Sequence, residues 1–276
     1  MAYIVPEVFA DAVNAALGVA LRAGTLATDY TEYVDAIETY GDTVHFPVID
    51  RISDAVELAD GDELTPDEVS MTDSSAEIKQ VGKAVRVYDK YNIQVKGKLK
   101  DELAVQVGEA LAKAVDADLV DAIVSEAVYS DTATECTADV VNAAFDVFGD
   151  DVDNATFAGI LINSRLRSSF MSMDAFTDAT KTYAANGNGI IENGVIGYWN
   201  GNIPVVVSNN GTYDSDASTA VLAIVKKDAL GVVWQKVPVT EEEREAKKAA
   251  TDIVATELYA TKLVKTDGVS LVKVSC

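Results

Sequence analysis

Apolar side chains recur every fourth position from Leu99 through Leu103, Val107, Leu111, Val115 and Leu119 to Ile123, with alanines filling the turns between them. That recurrence predicts one helix from about residue 98 to residue 128. At 1.5 Å per residue it is roughly 45 Å long. Its surface is apolar on more than one side, which suits a spine buried between a sheet and other elements. A coiled coil is the alternative, although a strict four-residue repeat drifts off a heptad seam. A shorter stripe near the start (Val8, Phe9, Ala12, Val13, Ala16, Leu17) also has helical spacing, and Gly24 can end it.

Elsewhere the period is two. Asp42–Asp50 reads as an extended stretch in which Pro47 favours an edge position. With the helix before it, this stretch forms an expected N-terminal arm over 1–50. Residues 53–75 are polar and acidic, and Asp60-Gly-Asp-Glu and Thr65-Pro-Asp-Glu are turn signals. Beyond them Val85, Val87, Ile93 and Val95 read as strand faces with a bulge between the pairs. The expectation is an extended two-stranded excursion over 51–97. Such a hairpin is marginal alone, so it implies a partner.

Residues 137–238 alternate between helix and strand signals. Val140, Val141, Ala144, Phe145 and Phe148 form a helical stripe closed by Gly149. Strands are predicted from Phe157, from Asn202 and from Ala220, a helix from Ser164, and a two-residue turn at Asn193-Gly194. In the last part, 239–276, Thr240 and Glu243 are spaced as a capping box, which predicts a helix at 241–250 in competition with a bent strand. Ile253–Val264 and Val269–Val274 then alternate like paired strands around Thr266-Asp-Gly. The class is α+β.

Composition narrows function mainly through charge. Lys and Arg number 22 against 45 Asp and Glu, a formal net charge of -23. A field of that sign repels phosphate and argues against a dedicated nucleic-acid binder. It suits a surface kept soluble at high concentration, a wall that does not hold DNA, or adaptation to salt. No apolar run approaches the ~20 residues that span a bilayer. The start lacks a basic region and a long apolar stretch, so the expected compartment is a cytoplasm. Cys136 and Cys276 lie far apart without zinc-type spacing and read as two thiols, not a disulfide.

Chemistry-bearing motifs are scarce. His45, the sole histidine, sits in a predicted strand with no nucleophile motif around it and reads as structural. Gly187-Asn-Gly189 begins like a dinucleotide fingerprint, but Glu192 stands where the third glycine belongs. Asp60/Asp62/Glu63 and Asp150/Asp151/Asp153 lack the ligand order of a calcium loop and read as solvated turns. No catalytic residue, cofactor or metal site is expected.

The stretch from Asn193 to Ser208, the run Ala223-Ile-Val-Lys-Lys-Asp-Ala-Leu-Gly, Glu242-Glu-Arg-Glu-Ala and Leu258-Tyr-Ala resemble the HK97-like major capsid proteins of tailed phages. The order of segments matches that family along nearly the whole chain. The resemblance implies an N-terminal arm (1–50), an extended hairpin or E-loop (51–97), a peripheral-domain spine helix (98–136), an axial domain (137–238) and a return segment completing the peripheral domain (239–276). It implies a structural subunit, not an enzyme, that forms hexamers and pentamers of an icosahedral shell around double-stranded DNA. Its partners would be itself, a separate scaffold protein and a portal. Packaged DNA would be touched only weakly and non-specifically, and no membrane would be involved. The place would be the virion capsid, after assembly in the host cytoplasm.

Inter-subunit contacts are expected from Val8, Phe9, Val13 and Leu17 in the arm. In the hairpin they are expected from Leu58, Leu64, Val69, Met71 and Ile78. A neighbour would cover these apolar groups, as in obligate interfaces of more than about 2,000 Å². Lys79, Lys83 and Lys90 lie in or near the hairpin, but no motif licenses covalent crosslinking through them. The alternatives are an encapsulin-like compartment shell, a small-molecule-binding or hydrolytic α/β protein built on 137–235, and an acidic surface-layer protein.

Overall fold

The computed structural model describes residues 6–32, 42–49, 55, 57, 66, 68, 71–94, 99–150, 153, 155–177 and 194–276. The four-residue recurrence folds as one helix, α3 (Leu99–Glu126), and Val107, Leu111, Val115, Leu119 and Ile123 are all buried along it. Helix α1 (Pro6–Ala20) packs on α3 through Phe9, Val13 and Leu17. At the crossing, a Cβ on Gly108 would stand 2.7 Å from the Val13 carbonyl oxygen. Only glycine permits so close a backbone approach.

A four-stranded sheet lies under these helices. Its order is β1 (Thr28–Asp29), β11 (Leu230–Glu245), β12 (Ala250–Leu263), β4 (Lys79–Tyr88). Along β12, Ile253, Ala255, Glu257 and Tyr259 alternate inward and are buried. Strands β2 (Thr43–Ile49) and β3 (Met71–Glu77) pair antiparallel, Thr43 opposite Glu77. The base of this hairpin is anchored, because Val44 and Phe46 pack with Val233, Ala260 and Val264 of the four-stranded sheet.

The second sheet has seven strands. Six run in the order β5 (Tyr129–Ala133), β13 (Val269–Ser275), β10 (Thr219–Lys226), β6 (Phe157–Ile162), β8 (Ile203–Val207), β7 (Val195–Trp199), and β9 (Tyr213–Asp214) pairs with β10. Every residue of β10 from Ala220 to Val225 is buried, the mark of a strand covered on both faces. One face packs on the C-terminal half of α3. The other packs on α4 (Ala138–Asp146), α5 (Arg167–Ser172) and α6 (Asp174–Thr177), where Phe170, Phe176 and Trp199 form a fully buried aromatic group. Thr137 caps α4 as its side chain accepts from the Val140 N–H.

Several sequence expectations are corrected. The strand expected through Val95 stops at Tyr88, and Asp89–Gln94 is a short helix, α2, that contains Ile93. Val95 itself lies outside the described residues. Strand β4 is not a hairpin arm: it pairs with β12, while the hairpin joins 43–49 to 71–77, so its first arm falls in the stretch assigned to the N-terminal arm. The capping-box spacing at Thr240 and Glu243 does not start a helix. Thr240–Glu245 pair antiparallel with Ala250–Ala255, and the pairing overrides local propensity. A tight turn lies at Asn200-Gly201, both with positive φ, within the three-residue connection between Trp199 and Ile203, whereas Asn193 of the expected Asn193-Gly194 turn is not among the described residues. Gly187–Asn193 lie outside the described residues. The return segment divides, with β12 in the four-stranded sheet and β13 in the seven-stranded one.

Candidate assembly surfaces and the polar joints behind them

Phe9, Val13 and Leu17 do not wait for a neighbour. They are buried against the chain's own α3, in one cluster with Val107, Leu111 and Ile253, because the apolar face of α1 finds an apolar face on the spine. This corrects the expectation that apolar surface there can be covered only by another molecule. Ile78 is partly buried against the cluster behind the four-stranded sheet, and its N–H donates to the Asp42 carbonyl at 2.7 Å. Val8 lies in α1 and Met71 begins β3, but their side chains fall outside the described residues. Leu58, Leu64 and Val69 lie wholly outside them. His45 is exposed on β2. Of the two acidic clusters, Asp60, Asp62, Glu63 and Asp151 are outside the described residues. No group of three metal-ligating side chains occurs among those described.

Among the described residues, exposed apolar groups lie on the helices (Val19, Val105), beside the seven-stranded sheet (Val128, Val147) and on the four-stranded sheet and its margins. Tyr88 and Tyr91 stand edge to face at the junction of β4 and α2. Val237 and Val239 are exposed where the register of β11 against β12 shifts. Around them the surface is ionic. Arg86 holds Asp252 with two bonds at 2.7 and 2.6 Å and reaches Glu245 at 2.9 Å. Arg244 holds both oxygens of Asp89 at 2.7 Å. The hydrogen bonds from these guanidinium groups hold the Asp252 and Asp89 carboxyls below their usual range.

Two carboxyls not expected from the sequence lie behind these surfaces. Asp116, fully buried on α3, accepts from the backbone N–H of Arg22 at 3.0 Å, from that of Gly24 at 3.0 Å and from Asn210 Nδ2 at 3.1 Å. It ties the segment after α1 and the loop after β8 to the spine. Burial pushes its pKa up, against the pull of those donors. Glu257, fully buried on β12, has no hydrogen-bond partner at either oxygen among the described residues. Burial pushes its carboxyl up to about 7. A signal for each was present. Asp116 occupies an apolar-stripe position four residues after Ala112 and four before Val120, and Glu257 falls on the inward register of an alternating strand.

The profile of the family described as phage capsid protein matches residues 72–274. The chain belongs to that family. A major capsid protein of Staphylococcus phage phiMR11 is 27% identical to it over 263 residues, covering 94% of this chain and 89% of the relative. Among solved structures, that of Mycobacterium phage Che8 superposes with a TM-score of 0.63 at 22% identity, covering 91% and 90% of the two chains. The capsid of an empty GTA particle gives 0.67 at 10% identity, covering 93% and 90%. The fold is accordingly the HK97-like capsid fold, and the protein is a phage major capsid protein that associates with itself in the shell of the virion. These matches favour a phage capsid over the compartment-shell, α/β-enzyme and surface-layer alternatives.

Proposed function

We propose that this capsid protein forms hexamers and pentamers that close an icosahedral shell around double-stranded DNA, with a separate scaffold protein and a portal as assembly partners. Assembly takes place in the host cytoplasm, and the subunit works without catalysis. The observation that carries this reading is the antiparallel pairing of β2 with β3, whose base is packed on its own sheet and whose two strands are joined in sequence by residues 50–70. Leu58, Leu64 and Val69 fall in that connection and are the apolar groups assigned to a neighbouring subunit, together with Met71. Exposed Tyr88, Tyr91, Val237 and Val239 are suitable counterparts on the receiving face. The net charge of -23 supports a lining along which DNA slides instead of sticking.

The test is electron microscopy of the expressed chain with and without the scaffold, for the wild type and for a chain in which residues 56–68 are replaced by a short glycine-serine link. Wild type is expected to give closed particles or rings of five and six. The replaced chain is expected to stay folded and soluble but leave shells open. Normal particles from the replaced chain, or a monomer under all conditions from the wild type, overturn the proposal.

A further inference from the structure

Glu257 is anomalous on geometry alone. It lies in an interior strand of the four-stranded sheet, its residue is fully buried, and neither carboxyl oxygen meets a donor among the described residues. A buried polar group without a partner is costly, and an unpartnered charge far more so. A hydrogen-bonded chain joins the neighbouring positions of the same face but does not include it. Two residues along β12, the Tyr259 hydroxyl donates to Asp118 Oδ2 of α3 at 2.8 Å. The other oxygen of Asp118 takes Lys79 of β4 at 3.0 Å. Lys79 and Lys83 flank Val81, the cross-strand partner of Glu257, and pair with Tyr259 and Ala255. Alternation puts both lysines on the side of β4 that bears Val81. On the other flank β11 pairs Lys236 with Leu258, whose side chain alternates to the face opposite Glu257. On α1, Asp11 is exposed and Asn14 holds a buried amide oxygen without a partner, and Glu77 of β3 is exposed.

We propose that Glu257 is a proton-operated switch in the joint between the spine helix and the four-stranded sheet, closed when its carboxyl is neutral and loosened when it ionises. In the neutral state the carboxyl lies in an apolar slot and Lys79 stays on Asp118. Loss of the proton leaves an anion in that slot. It can be relieved only by drawing in a β4 lysine or by admitting water between β4, β12 and α3. Both responses act on β4, which follows the hairpin arm β3 after a single residue, Ile78. The proton state of Glu257 thereby sets how firmly the base of the hairpin is held. The sign agrees with its pKa, pushed up to about 7 by burial: the folded form holds its proton more tightly than the unfolded chain. Stability from this group is therefore full in acid and declines as pH rises from about the ordinary glutamate value of 4.5 through 7.

The test is hydrogen exchange read by mass spectrometry on the full chain at pH 5.5 and 8.5, corrected for intrinsic rates. Wild type is compared with Glu257→Gln and Glu257→Leu. In wild type, peptides from β4 and β12 are expected to lose at least about tenfold in protection on going to pH 8.5, while peptides from β6 and β10 hold theirs. Both variants are expected to keep β4 and β12 protection within about twofold across the same range. An equal pH response in wild type and either folded variant overturns the proposal, as does no response in wild type. Should neither variant fold, carbon-13 titration of the wild-type glutamates decides: a buried carboxyl with a midpoint near 7 supports the switch, and ordinary midpoints for all of them overturn it.

Discussion

The two sheets of this capsid protein are built to opposite rules. The seven-stranded sheet is covered on both faces, and its interior strand β10 is buried without interruption from Ala220 to Val225. Its clusters hold aliphatic groups and the Phe170–Phe176–Trp199 set, and the buried polar residues of its strands and loops, Asn163, Ser208, Thr212 and Ser270, are uncharged. The four-stranded sheet buries one face against α1 and α3. It carries a carboxyl in that core, ties its margins with Arg86 and Arg244, and leaves Tyr88, Val237 and Val239 exposed. A private apolar core gives one region a single rigid shape. Polar joints and open apolar margins give the other region states of similar energy and surface for neighbours to use. The comparison assigns rigidity to one half of the subunit and adjustability to the other.

The difference can be broken by mutation. Trp199→Ala removes the largest side chain of the apolar half and is expected to cost about 3–5 kcal/mol in denaturant unfolding, since the packed surroundings cannot collapse into the space. A loss under about 1 kcal/mol would mean that this core is loose. Asp116→Ala is expected to cost less, about 2–3 kcal/mol, because it strands the Arg22 and Gly24 N–H groups and the Asn210 amide in a buried site. Proteolysis after α1 should rise with it. A stable, protease-resistant variant would show that α1 is held by apolar packing alone. The smallest effect is expected from Arg244→Ala, where both partners of the bidentate pair are solvent-exposed and screening leaves little net gain. Thermal melting should match wild type within error, and a clear loss would place a structural role in what reads as a surface ion pair.

Local pattern was enough where a single element decides its own form. The spine helix declares itself by four-residue recurrence, α4 by its stripe and threonine cap, and β6, β8 and β10 by short apolar runs. Pattern was insufficient where pairing decides. Thr240–Glu245 has the composition of a helix start, yet six consecutive residues find antiparallel partners in β12, and the ladder wins. The hairpin was placed one strand late, because the strong alternation at Ala84–Val87 belongs to a sheet strand, while the hairpin arm Met71–Glu77 is polar and alternates weakly. Five Asn-Gly pairs occur along the chain, and only the flanking strands reveal that the one at Asn200-Gly201 closes the β7–β8 hairpin. Of the surfaces, the arm's apolar stripe was visible, but not that α3 would cover it. Asp116 and Glu257 carry only a positional signal, an acid on an inward register, which becomes informative once the faces of α3 and β12 are known.

The position of β13 has a consequence for synthesis. Residues 269–275 fill the place between β5 and β10, so the sheet's interior is completed by its last-made strand. While the ribosome is still translating the preceding segments, β10 has an open edge and β5 has no neighbour to join. On a nascent chain this sheet therefore cannot close until residues 269–275 have emerged.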